Sequence, residues 1–237
     1  MRKPQVFLAI ALAALAALVA RVAATADAAP PTCRKCVDLG KYFQKIKDLE
    51  LIRDTYKRYI PGEPNYAGPV RTSEDLEAFV RADICAAIGG CYRPASEGGT
   101  ELRAELTTTV PDCVIRVNGA PLDAKTEAAY RTTTCKPFAD AALAHERVHK
   151  ANCEFTKKGH WEKDFSDPDM SAADEVSAYN LQIKMMRESM RKLALKCGWQ
   201  PTPGQASDPT SIPTEKQIEN MRARSWRAAR ALAGGKQ

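Results

Sequence analysis

Residues 145–149 read His-Glu-Arg-Val-His, a spacing with a direct chemical meaning. Two imidazoles four residues apart lie on one face of an α-helix, so His145 and His149 can reach a single metal ion. Glu146 projects beside them and can handle a proton. The chain has only three histidines and two complete this pattern, so chance is a poor explanation for it. The alternative is an amphipathic helix whose two histidines merely share a wet face.

A third ligand is needed, because a catalytic zinc ion usually takes three protein ligands and keeps one position for water. We predict Glu175, which lies on a later predicted helix and shares its face with Tyr179, four residues on. His160 is an alternative third ligand, because a loop could fold it back onto the metal. Asp164 and Asp169 are less favoured alternatives. The predicted metal centre is therefore two histidines and one glutamate.

The ligand set suggests roles for its neighbours. Zinc would lower the pKa of water, and Glu146 would take the proton and pass it to a leaving amine. Tyr179 is a candidate donor to the oxyanion formed by attack on a carbonyl, although a buried core aromatic is an equal alternative. Asp140 and Asp174 could orient the imidazoles, or could simply be surface residues.

With HExxH on one helix and a glutamate on a later one, the chain resembles the gluzincins, a branch of the zincin metallopeptidases. The resemblance covers residues 141–179 and a β-rich segment before them, where these enzymes place the sheet whose edge strand holds the substrate. It implies His145, His149 and Glu175 as zinc ligands and Glu146 as general base. It also implies hydrolysis of peptide bonds in a protein or peptide substrate.

Other functions compete with this one. The extended metzincin motif fails, because it requires glycine at position 152 and histidine at 155, where this chain has Asn152 and Phe155. An exported protein that binds zinc without turnover, or a disulfide-rich interaction protein in which the motif is accidental, remain alternatives. Glu146 favours hydrolysis, because a structural zinc site has no use for a base between its histidines.

The N-terminus has the pattern of a secretory signal. Basic residues at 2–3 precede an apolar run over 6–20, and small residues that suit signal peptidase follow. The run is shorter than the roughly twenty residues that span a bilayer. We therefore expect a cleavable signal at 1–28, a secreted or periplasmic protein, and no integral membrane segment in the mature chain.

All eight cysteines follow this signal, and an even number in an exported chain predicts disulfides. The CxxC at 33–36 is expected to be structural; the alternatives are a redox-active pair and half of a zinc knuckle, and no second CxxC exists to complete a knuckle. Cys85 and Cys91 are the expected local pair. Cys153 lies on the histidine face but is assigned to a disulfide, and Cys197 is too far along its helix to be the partner. Cys197 should instead attach to the N-terminal region.

Hydrophobic periodicity and turn signals predict the fold class α+β: a mainly helical domain, stapled by disulfides, with a small β-sheet preceding the HExxH helix. Thr72 to Asp75 suits the start of the second helix, and Asn118-Gly119 is a turn signal. Ser171 with Asp174 resembles a capping box that would begin the last long helix. The predicted helices are 37–60, 72–85, 137–157 and 171–197, and the predicted strands are 106–110, 113–117 and 130–134.

The expected organisation is a signal at 1–28, a zincin-like domain at 29–199, and a linker with a basic helical tail at 200–237. The tail either docks to an anionic surface or is a solvated extension. The net charge of +6 says little about partners, and nothing resembles a nucleic-acid module. The sequence leaves open the oligomeric state and whether the first helices form a propeptide, a lid or part of the core.

Overall fold

The computed structural model describes residues 33–88, 106–109, 112–133, 135–159 and 167–234. The predicted signal at 1–28, as well as Cys91, His160 and Asp164, lie outside the described residues. The α+β class, mainly helical with a small antiparallel sheet before the HExxH helix, is confirmed. The elements are α1 (Leu39–Lys57), α2 (Ser73–Ala87), β1 (Leu106–Thr109), β2 (Val114–Val117), β3 (Ala120–Pro121), α3 (Ala124–Thr133), α4 (Lys136–Lys157), α5 (Pro168–Lys196), α6 (Pro203–Ser207) and α7 (Glu215–Gly234).

The N-terminal helix α1 is part of the main core. The apolar stripe of its sequence is buried as the 3.6-residue period predicts, with Leu39 and Ile46 completely inaccessible to solvent. This stripe packs against Met186 and Met190 of α5, and Ala141 of α4 joins the same cluster. Of the three roles left open for the first helices, α1 therefore takes that of core.

The two long helices that carry the candidate ligands begin and end at recognisable signals. Helix α4 has proline in its first turn, at Pro137, and the chain leaves it through Gly159 at a φ of 72°. Helix α5 begins at Pro168, where the side chain of Asp167 accepts hydrogen bonds from the amides of residues 169 and 170. The predicted start at Ser171 is wrong, because the Asp167 cap and the proline after it begin the helix earlier. Asp174 then contacts α4 instead of a cap.

The sheet is a small antiparallel meander in the order β1-β2-β3. The predicted turn at Asn118 and Gly119 is confirmed, with φ values of 50° and 79°, and it connects β2 to the two-residue strand β3. Thr72 also caps α2 as predicted, by accepting a hydrogen bond from the amide of Asp75.

The strand predicted at 130–134 is wrong, because residues 130–133 form the end of helix α3. Asp123 and Thr126 exchange hydrogen bonds at the start of this helix, each side chain accepting from the other residue's amide. Glu127 and Arg131 form an ion pair one turn apart along it. Tyr130 is buried in a cluster that includes Leu143 of α4. These contacts outweigh the β-preference of the threonines that follow.

Among the described residues, three disulfides connect the helices and the sheet, and two predictions about the cysteines are confirmed. Cys197 does attach the far end of α5 to the N-terminal region, and Cys153 is half of a disulfide. Cys85 is half-buried and bonded to no described cysteine, so its pairing with Cys91 stays a prediction. The observed disulfides are Cys33–Cys135, Cys36–Cys197 and Cys113–Cys153.

The C-terminal segment packs onto the same core. Ile218 and Met221 of α7 are 3% and 2% exposed and belong to the cluster built on α1 and α5. Arg191 of α5 donates to the backbone carbonyls of Gln205 and Ser211, which holds the segment between α5 and α7. This part of the predicted tail is therefore packed rather than solvated. Within the described part of the chain, no helix is long and apolar enough to cross a membrane.

Replacing Met221 with alanine tests this packing. Met221→Ala should lower the free energy of unfolding by about 2–5 kcal/mol, because it leaves a cavity between α7 and the core. Glu219→Ala on the exposed side of the same helix should change it by less than about 0.5 kcal/mol. Urea unfolding followed by circular dichroism measures both, and equal small effects would mean that α7 is not docked.

Candidate metal centre

The structure brings the predicted ligands together at the contact between α4 and α5. Helix α4 presents His145 and His149 on one face, as the four-residue spacing predicts, and α5 presents Glu175 opposite them. The candidate ligand atoms of these three residues lie within 4.8 Å of one another. Among the described residues, this is the group of histidine, cysteine and acidic side chains able to hold a metal ion. Asp169, in the first turn of α5, is not part of it.

The distances between ligand atoms suit a small divalent cation. Glu175 places Oε2 3.6 Å from Nε2 of His145, and Oε1 3.5 Å from Nε2 of His149. Metal–ligand bonds of about 2.0–2.2 Å in a tetrahedron place the ligand atoms roughly 3.3–3.6 Å apart. The two Nε2 atoms are closer, at 2.9 Å, so the imidazoles would have to separate slightly around an ion.

The close contact of the two imidazoles suits one proton between them. Burial disfavours a charge on either ring, but the carboxylates of Asp174 and Glu175 outweigh it and raise the pKa of His149 to about 9. Burial and the charge of His149 lower the pKa of His145 to about 3. These opposite shifts favour the proton on His149, whose Nε2 can then donate to Nε2 of His145. A cation at the same point would replace that proton.

The outer nitrogens of the two imidazoles have different surroundings. Nδ1 of His149 lies 2.6 Å from Oδ2 of Asp174, which directs Nε2 towards the other ligands. Nδ1 of His145 is buried and has no hydrogen-bond partner by geometry. The side-chain amide of Gln182 is nevertheless near enough to raise the pKa of His145, against the larger lowering by burial. Asn152 donates to the second oxygen of Asp174 and so holds that carboxylate in place.

Asp174 therefore has the orienting role that the sequence allowed, and Asp140 does not. Asp140 forms ion pairs with Arg131 and Lys136, on the side of α4 that carries α3. The sequence pattern of α4 could not show which aspartate orients His149. Asp140 lies on α4 itself, whereas the contact comes from Asp174 on α5.

Glu146 lies beside the ligands with its side chain largely buried, its residue being 9% exposed. The hydroxyl of Thr108, on β1, donates to Oε2 of Glu146 at 2.8 Å. Burial raises the pKa of Glu146, and the hydrogen bond from Thr108 opposes the rise. The net effect is a pKa above the ordinary value for a glutamate, which makes this carboxylate a stronger base.

The side chain of Glu175 is 25% exposed and lies beside other acids, and desolvation by the surrounding protein raises its pKa to about 7. The charges of Asp174 and Glu146 raise the pKa further, and that of His149 opposes them. Burying three carboxylates in one place is costly unless positive charge compensates them. The nitrogen and oxygen donors and the excess of negative charge both fit a divalent cation.

Two tyrosines line the group. The ring of Tyr179 meets that of His145 edge-on, with centroids 4.5 Å apart. It also stacks on Tyr56 of α1 at 6.1 Å and packs against the core. Tyr179 as a hydroxyl donor to a substrate therefore stays a prediction. Tyr56 is a neighbour that the sequence did not single out, because it belongs to the apolar stripe of α1.

Sequence reasoning also missed Thr108, Asn152 and Gln182. Asn152 lies less than one turn beyond His149, so helix geometry could have placed it near the group. Thr108 belongs to a run of three threonines in a strand, which carries no signal for contact with Glu146.

Comparisons of the chain with protein-family models, with curated proteins and with solved structures find no match.

The contact between Asp174 and His149 predicts an effect on metal affinity. Asp174→Asn should weaken zinc binding by about 10- to 100-fold, because the orienting carboxylate loses its charge. Asp140→Asn is the matched control and should bind zinc as the wild type does, since its partners are Arg131 and Lys136. Competition with a chromogenic chelator measures both affinities. Equal losses in the two variants would show that the effect is not specific to the imidazole contact.

The pKa of His149 predicts how the metal-free protein responds to pH. The pKa of His149 in the folded protein is about 9, above the ordinary 6.5. The contribution of His149 to stability is therefore complete below pH 6.5 and is lost as the pH rises to 9. Urea unfolding in EDTA should therefore give a smaller free energy of unfolding at pH 9 than at pH 7.5. Asp174→Asn should reduce this difference. A free energy that is the same at both pH values would contradict the assignment.

Proposed function

We propose that this chain is an exported zinc-dependent metallopeptidase that hydrolyses peptide bonds. The observation that carries the proposal is the convergence of His145, His149 and Glu175 within 4.8 Å, with Glu146 beside them. The chain resembles the gluzincins in this arrangement of two histidines on one helix and a glutamate on a later one. Two imidazoles and one carboxylate are a ligand set typical of catalytic zinc.

The proposed mechanism gives each residue of the chain one task. His145, His149 and Glu175 would hold the ion, which when bound supplies Lewis acidity for water and for a substrate carbonyl. Glu146 takes a proton from water and later delivers it to the leaving amine. Its raised pKa suits the first step, because a more basic carboxylate accepts a proton more readily. Asp174 keeps His149 in the required tautomer.

The disulfides support action outside the cytoplasm. Three disulfides connect distant parts of the chain, and such bonds persist in oxidising compartments. The predicted signal at 1–28 is consistent with secretion or with a periplasmic location. The substrate in this proposal is a protein or peptide.

The substitution Glu146→Gln tests the proposed reaction. The purified wild-type protein should contain one zinc ion per chain and cleave members of a broad peptide library. Glu146→Gln should keep the zinc and lose cleavage by at least about 10²-fold, because it removes the base. Glu154→Gln, an exposed position on the same helix, is the control and should keep both properties. Elemental analysis and mass spectrometry of the digest are the measurements.

The other outcomes discriminate between functions. Zinc without cleavage in the wild type would indicate a binding protein rather than an enzyme. No zinc, with no effect of chelators, would indicate that the motif has no metal function. Cleavage that survives Glu146→Gln would contradict the proposed role of Glu146.

A further inference from the structure

Thr108 makes the one hydrogen bond to the Glu146 carboxylate among the described residues. Its hydroxyl lies 2.8 Å from Oε2 of Glu146 and 3.1 Å from the backbone carbonyl of the same residue. A hydroxyl has one proton, and the carboxylate is both the nearer and the stronger acceptor. The contact joins residues 38 positions apart in sequence, so it depends on how the sheet packs on α4.

Several attachments keep Thr108 in this place. Strand β1 pairs with β2, and Thr108 lies opposite Ile115, which is 5% exposed. The Cys113–Cys153 disulfide ties the β1–β2 connection to α4, at a position four residues beyond His149. The sheet cannot slide along α4 without breaking these contacts.

The two oxygens of the Glu146 carboxylate are in different situations. Oε2 accepts from Thr108, whereas Oε1 has no hydrogen-bond partner in the part of the chain that the structure describes. Among the described residues, the fully buried side-chain atoms that lack a hydrogen-bond partner belong to His145, Arg187 and Trp199. Oε1 of Glu146 also lacks a partner but is not one of these atoms, so it is not fully buried. One oxygen is therefore held by the protein and the other is available to water.

We propose that Thr108 is a positioning residue for Glu146, holding Oε2 so that Oε1 is presented to the water that it deprotonates. This inference rests on the proposed peptidase function and adds to it a residue from the sheet. Thr108 does not itself exchange a proton with substrate. It limits the rotation of the carboxylate, so the base is oriented before the reaction begins.

Three variants of strand β1 test the proposal. Thr108→Val keeps the shape of the side chain and its preference for a strand but removes the hydroxyl. Thr108→Ser keeps the hydroxyl. Thr107→Val is the matched control, because adjacent residues of a strand face opposite sides and Thr107 is exposed. All three should bind one zinc per chain and unfold at temperatures close to that of the wild type.

Thr108→Val should lower kcat for peptide cleavage by about 10- to 100-fold with KM unchanged, because the misplaced base affects the reaction and not binding. Thr108→Ser should recover most of the activity, and Thr107→Val should match the wild type. Wild-type kcat in Thr108→Val, or an equal loss in Thr107→Val, would overturn the proposal. Loss of activity in Thr108→Ser as great as in Thr108→Val would also overturn it.

Crystal structures of the zinc-loaded wild type and Thr108→Val separate this proposal from the proposed function. The Glu146 carboxylate should keep its contact with Thr108 in the wild type and rotate away in the variant. A wild type that cleaves no peptide refutes the peptidase function, but the crystallographic comparison still tests the positioning role. An unchanged Glu146 carboxylate in Thr108→Val refutes the positioning role whatever the activity.

Discussion

The hydrogen bond between Asp174 and His149 is the interaction on which the candidate metal centre depends. It joins α5 to α4 and fixes the ring of His149, so that Nε2 points into the space between the helices. Consecutive residues of a helix point about 100° apart. Asp174 is directed at Nδ1 of His149, and Glu175 is directed at the Nε2 atoms of His145 and His149. The pair Asp174 and Glu175 therefore provides one orienting carboxylate and one candidate ligand from adjacent positions.

Such a group of charges requires a rigid frame, because buried carboxylates repel one another and favour opening of the structure. Disulfides supply part of that frame. Helix α4 is held at its start by Cys33–Cys135 and beyond the histidines by Cys113–Cys153, while the end of α5 is held by Cys36–Cys197. Helix α1 lies along α5 and closes the core. The disulfides therefore connect the sheet, the N-terminal region and the long helices around the candidate metal ligands.

The errors of sequence reasoning share a cause. The segment 130–134 reads as a strand from its β-branched residues, but a cap, an ion pair and the burial of Tyr130 make residues 130–133 the end of a helix. Ser171 reads as a helix start, but Asp167 caps the helix earlier. Asp140 and Asp174 are equal candidates to orient an imidazole until the helices are packed. In each case a contact with another residue outweighed a local preference.

The sequence by itself determined the long helices α1, α4 and α5 and the shared face of His145 and His149, because both follow from the 3.6-residue period. It also indicated Glu175, through its place on a second helix, and the attachment of Cys197 to the N-terminal region, through helix length. Only the tertiary structure decided which carboxylate orients His149 and that Thr108 contacts Glu146. Those contacts join residues far apart in the chain, and their distances depend on how the helices and the sheet pack, which no local pattern records.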